Sequence, residues 1–355
     1  MPNLDIPLPF ALATLLPRWL ERSASAQPGS LLHTLHRGLR ARQPLATLND
    51  SDCCRLLDGE DKRHYIDLYS NCLVVQAYLD LDPSDDAAIA RGLADLDRAA
   101  RDVADALQPQ AMWLKIRPRQ TNTLVDPTRL APALPAAGSS DLPIIAHENG
   151  LAFQIRPDLG LATGLYLDQR GNRRWLQRQK PGLRVLNTFC YSAGFSIAAG
   201  SAGATTVSVD IAEPALQWAR DNFALNTMQL QDADGVRVHD LIRGDSLEWL
   251  GKFAKRGQQF DLIVLDPPSH ATHRGKHWSA LRSYPELVEL ACRCLAKEGR
   301  LLGCINAAAV EPAQLHQWLR QGAQVAGRRV TQLTPMRNQI DYTASRMKSA
   351  VLTLD

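Results

Sequence analysis

The sequence predicts an α/β fold in its second half, preceded by a small α+β domain. From residue 183 onward, short apolar runs alternate with segments of helical spacing, which is the pattern of a parallel sheet covered by helices. Before that point, strand-like runs are separated by turn signals, which favours hairpins. The length of 355 residues is also sufficient for about two domains.

The first half divides into two predicted segments. Residues 1–49 form an N-terminal helical extension, with one helix near its start and a second from Leu31. Residues 50–148 form the small α+β domain, a possible RNA-binding domain. It comprises a hairpin, a helix that begins near Pro83 and ends before Pro109, and a strand at 111–116. We predict a loop at residues 118–148, whose centre at Pro132–Ser140 is rich in proline, alanine, glycine and serine.

Residues 149–355 form the predicted α/β domain. Its seven strands are expected at 183–188, 206–210, 236–243, 261–265, 300–304, 328–333 and 347–354. Helices are expected between them, for example at 212–226 and 246–253. Ligands of open α/β sheets bind outside the carboxyl ends of the strands. Functional residues are therefore expected directly after the first five strands.

The composition excludes several classes of protein. Hydrophobic residues make up 45% and charged residues 22%, so the chain can bury a core and is neither disordered nor fibrous. It has no run of about 18 apolar residues, so we expect no membrane partner. Seven cysteines form no regular disulfide framework, which indicates a reducing compartment and hence a cytoplasmic protein.

Charge is unevenly distributed along the chain, although the net charge is only +3. Residues 50–110 carry six basic and fourteen acidic residues. Residues 169–209 contain no acid, and their basic residues are Arg170, Arg173, Arg174, Arg178, Lys180 and Arg184. An acid-free run of this kind is a candidate contact for a polyanion such as nucleic acid, the alternative being a solvated face.

The first candidate site follows the first strand and has the sequence Asn187-Thr-Phe-Cys-Tyr-Ser-Ala-Gly194. Backbone N–H groups where such a turn starts a helix can hold the polar end of a ligand. The segment lacks the glycines of the G-x-G-x-x-G dinucleotide pattern. By itself, it is equally compatible with a structural turn.

Aspartates follow the next three strands. Asp210 suits a carboxylate that accepts both ribose hydroxyls, or one that caps the following helix. Asp245 suits a contact to an adenine edge, or a helix cap. Asp266-Pro267-Pro268 follows the fourth strand; because proline has no N–H, Asp266 and the Pro267 carbonyl form a rigid pair of acceptors. The alternative is a simple end to the strand.

Together, these motifs resemble class I S-adenosylmethionine-dependent methyltransferases, and within them the bacterial 23S rRNA large-subunit methyltransferases. The likeness lies in Asn187-x-Phe189-x-Tyr191-Ser192-x-Gly194, in Val209-Asp210, in Asp266-Pro267-Pro268 and in the segment Gly164-Leu-Tyr-Leu-Asp168-Gln-Arg170. The resemblance implies a Rossmann-like seven-stranded methyltransferase sheet, S-adenosylmethionine as cofactor and RNA as partner. It implies no metal.

The resemblance also implies roles for individual residues. The implied cofactor-binding residues are Asp168, Arg170, Asn187, Phe189, Tyr191, Ser192, Gly194, Asp210, Asp245 and Asp266. The implied catalytic residues are Asp266, Pro267, Pro268 and Asn306. Ala193 replaces a frequent family glycine, which is tolerable if its φ is negative. His270, His273 and His277 have the spacing of a metal tract, but we interpret this segment as a basic lid over RNA.

The fifth strand bears on which atom is methylated. Methylation of cytosine carbon 5 requires a thiolate to attack carbon 6, and the family position for that cysteine corresponds to Asn306. Cys304 lies two residues earlier, so a shifted nucleophile stays open. Guanine N7 has an exposed lone pair and needs only alignment. Residues 244–250 and 337–340 resemble the guanine-N7 branch.

We therefore expect a 23S rRNA methyltransferase that modifies guanine N7. Asp266 and Asn306 would hold the edge of the base, on which Tyr191 or Phe195 would stack. The alternatives are an rRNA cytosine-C5 methyltransferase, a methyltransferase of small molecules or proteins, and a degenerate fold that only binds the cofactor.

Overall fold

The structure is a computed structural model that describes residues 8–119, 126–268, 270–273, 276–342 and 346–355. The chain folds into two compact units. The first comprises Met1–Leu167 and Gln339–Ser345, and the second comprises Asp168–Asn338 and Arg346–Asp355.

The first unit contains helices α1 (Leu12–Arg22), α2 (Leu31–Arg42) and α3 (Asp86–Leu107). Its strands are β1 (Cys53–Asp58), β2 (His64–Tyr69), β3 (Cys72–Leu79), β4 (Ala111–Pro118), β5 (Ala137–Gly138), β6 (Ile144–Glu148) and β7 (Leu151–Ile155). Strands β1 to β5 form one sheet in sequence order, and β6 pairs with β7. The predicted hairpin is confirmed as β2–β3, which turns at Ser70 with a φ of 55°.

The helices of residues 1–49 share a hydrophobic core with the five-stranded sheet. The apolar face of α1 buries Leu12, Leu15, Leu16 and Trp19. These side chains join buried residues of α2, α3 and β1–β4 in one cluster. Residues 1–49 and 50–148 of the predicted division therefore lie in the same unit.

The loop predicted at 118–148 is wrong at its end. Residues 144–148 form β6, whose residues alternate between buried and half-buried positions as they pair with β7. Strand β5 also pairs with β4, at Ala111 and Gly138. Both strands are short and lie in a segment rich in turn-forming residues. The loop prediction followed these turn signals and missed the alternation of Ile144 and Ala146, which is typical of a strand.

The first unit continues past residue 148 because polar side chains of its sheet bind the chain at 160–165. Lys115 Nζ donates to the Gly160 carbonyl at 2.5 Å, and Arg117 donates to the Leu161 carbonyl at 2.9 Å. The hydroxyl of Tyr69 donates to the Leu165 carbonyl at 3.1 Å. Burial of Lys115 lowers its pKa to about 7.

The second unit is built on a seven-stranded sheet. Its strands are β8 (Arg184–Thr188), β9 (Thr205–Asp210), β10 (His239–Arg243), β11 (Phe260–Leu265), β14 (Leu295–Ile305), β15 (Val330–Pro335) and β16 (Lys348–Leu354). A separate pair, β12 (His270–His273) and β13 (Lys276–Ser279), follows β11. The helices are α4 (Arg170–Gln177), α5 (Gly194–Ser201), α6 (Glu213–Leu225), α7 (Ser246–Lys255), α8 (Ala280–Arg293) and α9 (Pro312–Val325).

The strand order is β10-β9-β8-β11-β14-β16-β15, which confirms the predicted seven-stranded α/β sheet. The first five strands run parallel, so their carboxyl ends lie at one edge. Strand β16 runs antiparallel to both neighbours, an orientation that alternation of strands and helices does not predict.

Where the structure describes it, the segment predicted as a basic lid forms a pair of β-strands. Residues 270–273 form β12 and pair antiparallel with β13. The predicted lid residue Arg274 lies outside the described residues. No helix among the described residues is long and apolar enough to cross a membrane.

A buried histidine in the second unit makes its stability sensitive to acid. His239 stacks on Phe223, its Nδ1 lies 2.9 Å from the hydroxyl of Thr206, and burial lowers its pKa to about 4. The unfolded chain therefore takes up a proton between about pH 6.5 and 4 that the folded chain does not. From pH 7 to 4, the unfolding free energy should fall by up to about 3 kcal/mol more in the wild type than in His239→Gln.

Urea unfolding of both proteins at pH 7, 5.5 and 4 measures this difference. Carboxylates contribute equally to both curves, so the difference isolates His239. Parallel curves would show that His239 titrates normally in the folded chain.

Candidate cofactor and acceptor site

The turn after β8 is tied to the ends of β9 and β10. The amide of Tyr191 donates to Asp210 Oδ2 at 2.8 Å, and the amide of Cys190 donates to the Val209 carbonyl. The amide of Phe189 donates to Ser246 Oγ at 3.1 Å. These bonds bring together the predicted site residues of the first three strands.

Ala193 adopts a left-handed conformation in this turn, with a φ of 63°, so the condition of a negative φ under which alanine would be tolerated is not met. Phe189 and Tyr191 also have positive φ. Such a conformation costs a residue other than glycine about 1 kcal/mol or more. The bonds that Phe189 and Tyr191 donate hold the turn in this conformation despite that cost.

Beneath the turn, Asn187 is buried and donates to Ser196 Oγ at 2.9 Å. Ser196 in turn lies 2.7 Å from Ser208 Oγ. From α6, the buried Asn222 donates to the Ser192 carbonyl at 3.1 Å. Asn187 thus supports the turn from below, and its role as a direct ligand contact stays a prediction.

Asp210 is half-buried at the end of β9, and both of its carboxylate oxygens accept backbone bonds. Oδ2 binds the Tyr191 amide, and Oδ1 accepts from the Ala212 amide at 2.9 Å. A carboxylate has about four lone-pair positions, so it can accept two further donors. The position and the remaining capacity fit a pair of ribose hydroxyls.

Asp245 is the N-cap of α7. Its Oδ1 accepts from the amides of Leu247 at 2.8 Å and Glu248 at 3.1 Å. The capping interpretation is therefore confirmed, and the contact to adenine stays a prediction. The preceding Gly244 packs against the indole of Trp249, where a Cβ would lie 2.2 Å from Nε1.

The predicted acceptor residues lie together at the ends of β11 and β14. Asp266 follows β11, and its Oδ2 accepts from Gln169 Nε2 at 2.9 Å. Asp168 precedes Gln169, and its Oδ2 lies 3.5 Å from Nδ2 of the exposed Asn306. Pro267 is buried and Pro268 is exposed.

Burial and the charge of Asp168 raise the pKa of Asp266 to about 7. A hydrogen bond from Gln169 and the charge of Arg173 act in the opposite direction. Near neutral pH, Asp266 therefore exists as a mixture of the neutral acid and the carboxylate. Elevated carboxyl pKa values of this kind are typical of functional sites.

Cys304 is fully buried in β14. Burial, with the charges of Asp266 and Asp168, raises the pKa of its thiol well above the usual value. Its Sγ lies 3.8 Å from Gln169 Oε1 and 3.6 Å from Asn172 Nδ2. Cys304 is thus a neutral thiol within a polar cluster.

The acid-free run is exposed only in part, and its interpretation as a polyanion contact is wrong for Arg170 and Arg173. Arg170 and Arg173 are buried on α4. The guanidinium of Arg173 lies 5.9 Å from the ring of the buried Phe195. The spacing of Arg170 and Arg173 turns both inward on one helix face, whereas Arg178 and Lys180 are exposed.

Among the described residues, no group of three or more histidine, cysteine or acidic side chains could hold a metal ion. The seven cysteines are buried with free thiols.

The sheet and the acids at its carboxyl edge are those of a Rossmann-like cofactor-binding domain. The sequence matches the family described as S-adenosylmethionine-dependent methyltransferase over residues 62–341. The chain belongs to this family, and S-adenosylmethionine is the cofactor that defines it.

Two relatives are both named ribosomal RNA large subunit methyltransferase. The protein of Deinococcus radiodurans is 36% identical over 57% of this chain and 48% of its own length. The K/L protein of Marinobacter nauticus is 31% identical over 80% of this chain and 38% of its own length. The chain thus spans half or less of these relatives.

The fold is also that of a solved protein from Streptococcus mutans, described as a SAM-dependent methyltransferase. Its structure gives a TM-score of 0.73 over 95% of this chain and 81% of that chain, at 20% identity.

Several residues that build the site were missed by sequence reasoning. Ser246, Asn222, Gln169 and Asn172 are buried polar residues whose partners lie between 3 and 178 residues away. Gln169 lies inside a recognised segment, but its identity gives no signal of burial. Only the fold brings their partners within reach.

The elevated pKa of Asp266 should appear as a stability effect. Between about pH 7 and 4, Asp266 is protonated in the folded chain but ionised in the unfolded chain. The free energy of unfolding therefore falls as the pH rises through that window. Asp266→Asn removes the buried charge. The variant should gain stability on the order of 3 kcal/mol over the wild type between pH 4.5 and pH 8.

Urea unfolding at both pH values measures this gain. Asp245→Asn, which retains a capping side chain, is the matched control for the replacement of an aspartate at this edge of the sheet. A constant difference between Asp266→Asn and wild type would mean that Asp266 titrates at its usual pH.

Proposed function

We propose that the protein transfers a methyl group from S-adenosylmethionine to a base of ribosomal RNA, in 23S rRNA or its precursor, and that it acts in the cytoplasm. The family and the names of the two relatives support this proposal. The site supports it too, because an acceptor region with two carboxyls and an amide lies beside the turn that is expected to hold the cofactor.

The residues of the carboxyl edge fit S-adenosylmethionine. Residues 187–194 would hold its methionine part, Asp210 its ribose and Asp245 its adenine, while Asp168 and Arg170 would close over it. The fit rests on Asp210, whose carboxylate is fixed by two amides and can still accept two donors. When bound, the cofactor supplies an electrophilic methyl group on a sulfonium sulfur.

The acceptor base would be held by Asp266 and Asn306. Asp266 follows a buried strand and a proline fixes the chain after it, so its carboxyl has little freedom. As a carboxylate it accepts from an exocyclic amine, and Asn306 offers both a donor and an acceptor. Tyr191, half-buried with its ring 5.6 Å from that of Trp218, is better placed to stack on a base than the buried Phe195.

We further propose guanine N7 as the methylated atom, and the environment of Cys304 carries this choice. Attack on cytosine carbon 6 needs a thiolate. Cys304 is fully buried, and its elevated pKa keeps the thiol protonated. Guanine N7 needs no covalent activation, because its lone pair attacks directly once it is aligned with the methyl–sulfonium axis.

Methyl transfer from labelled S-adenosylmethionine to unmodified 23S rRNA, followed by nucleoside analysis, tests both proposals. We expect label in 7-methylguanosine. Cys304→Ser should reduce the rate by less than about tenfold, since the thiol does no chemistry. Label in 5-methylcytidine that Cys304→Ser abolishes would instead make Cys304 the nucleophile. No label, with cofactor still bound, would point to a small-molecule or protein acceptor.

The two aspartates should separate binding from transfer. Asp210→Ala removes a ribose acceptor and should weaken cofactor binding about tenfold or more in calorimetric titration. Asp266→Ala should change binding by less than about threefold and lower transfer at least about a hundredfold. Thermal unfolding controls for damage to the turn that Asp210 supports. An equal loss of binding in both variants would refute this division of the site.

A further inference from the structure

A buried glutamine connects Asp266 to the interior of the second unit. Gln169 is 1% exposed and lies immediately before α4. Its Nε2 donates to Asp266 Oδ2 at 2.9 Å and to Met347 Sδ at 3.3 Å. Its Oε1 accepts from Asn172 Nδ2 at 2.6 Å and from Cys304 Sγ at 3.8 Å.

These partners fix the orientation of the amide. The donor end faces a carboxylate and a thioether, and the acceptor end faces an amide and a thiol. A flip of the amide would set Oε1 against the Asp266 carboxyl and Nε2 against Asn172 Nδ2, so that like groups would meet. Toward the charged form of Asp266, Gln169 therefore presents its donor end.

Asn172 anchors this amide to the last strand. It lies three residues after Gln169, on the first turn of α4, and its Nδ2 also donates to Ser349 Oγ on β16 at 3.1 Å. Asn172 is 5% exposed, so water does not compete freely for these bonds. The chain Ser349, Asn172, Gln169 and Asp266 is continuous from β16 to the end of β11.

Besides this amide, two charged groups act on the pKa of Asp266, and the charge of Asp266 acts on two neutral groups. Asp168 raises the pKa of Asp266, and Arg173 on α4 lowers it. Burial raises the pKa of Tyr284 on α8 and of Cys304 on β14 well above their usual values, so both stay neutral. Gln169 is thus the neutral donor that favours the charged form of Asp266 against the effects of burial and Asp168.

We propose that Gln169 is a positioning residue: its amide, clamped by Asn172, holds the Asp266 carboxylate in the orientation in which it meets the acceptor base. This inference rests on the proposed function, in which Asp266 contacts that base. It assigns a role to a buried side chain through the hydrogen bonds that it makes to other protein groups.

Gln169→Met retains the length and shape of the side chain but removes the donor. Loss of a hydrogen bond to a charged group corresponds to about one pKa unit or more, so Asp266 should titrate at least about one pH unit higher. The acid limb of the pH–rate profile of methyl transfer should move by the same amount. Above that limb, the rate should stay about tenfold or more below wild type, because the carboxylate is no longer oriented.

Two measurements on the full chain test this. Carboxyl ¹³C NMR of protein labelled at aspartate follows the titration of Asp266, which is assigned by comparison with Asp266→Asn and needs no RNA. The pH–rate profile on 23S rRNA follows the consequence for transfer. Gln217→Met, the same substitution at an exposed position of α6, is the matched control and should change neither.

A second variant keeps the test decisive if Gln169→Met folds poorly. Asn172→Ala leaves Gln169 in place but removes its clamp, and should shift the Asp266 titration in the same direction by a smaller amount. An unchanged titration in a folded variant, or a uniform loss of rate with an unmoved acid limb, would overturn the proposal. A wild type that fails to methylate 23S rRNA would refute the proposed function, and the titration would still decide the role of Gln169.

Discussion

The carboxylate of Asp210 is the interaction on which the cofactor edge of the sheet depends. It binds the amide of Tyr191 in the turn after β8 and the amide of Ala212 before α6. The turn contains three non-glycine residues with positive φ, a conformation that is unfavourable without such external bonds. The Asp210 carboxylate is therefore oriented before a ligand binds. This reduces the entropy that binding would cost.

The acceptor region contains a carboxyl with a raised pKa. Burial and the charge of the neighbouring Asp168 raise the pKa of Asp266, although Gln169 donates a hydrogen bond to it. Asp266 therefore responds to pH near neutrality, because burial and a neighbouring negative charge outweigh the donor that favours its carboxylate.

Much of the α/β unit was predictable, because buried parallel strands are recognisable as apolar runs and each ends in a polar residue. The strand 261–265 and Asp266 illustrate this, as the structure extends the strand by one residue only. The antiparallel direction of β16 was not predictable, since direction depends on pairing and not on residue type. The buried positions of Arg170 and Arg173 were missed for a similar reason: arginine suggests solvent until a helix turns it inward.

The dual nature of Asp245 shows where sequence reasoning about a site ends. A carboxylate before a helix caps it by default, and Asp245 does so through Oδ1. Capping fixes the side chain, and a fixed side chain at the edge of a sheet is also what a ligand needs. Structural and functional interpretations of such a residue are thus compatible, so geometry alone does not separate them. The orientation of the Gln169 amide, by contrast, is fixed by partners at both of its ends: Nε2 donates to the Asp266 carboxylate, and Oε1 accepts from Asn172. Constraint from several directions, more than residue type, is what distinguishes a residue that serves the site from one that merely lies near it.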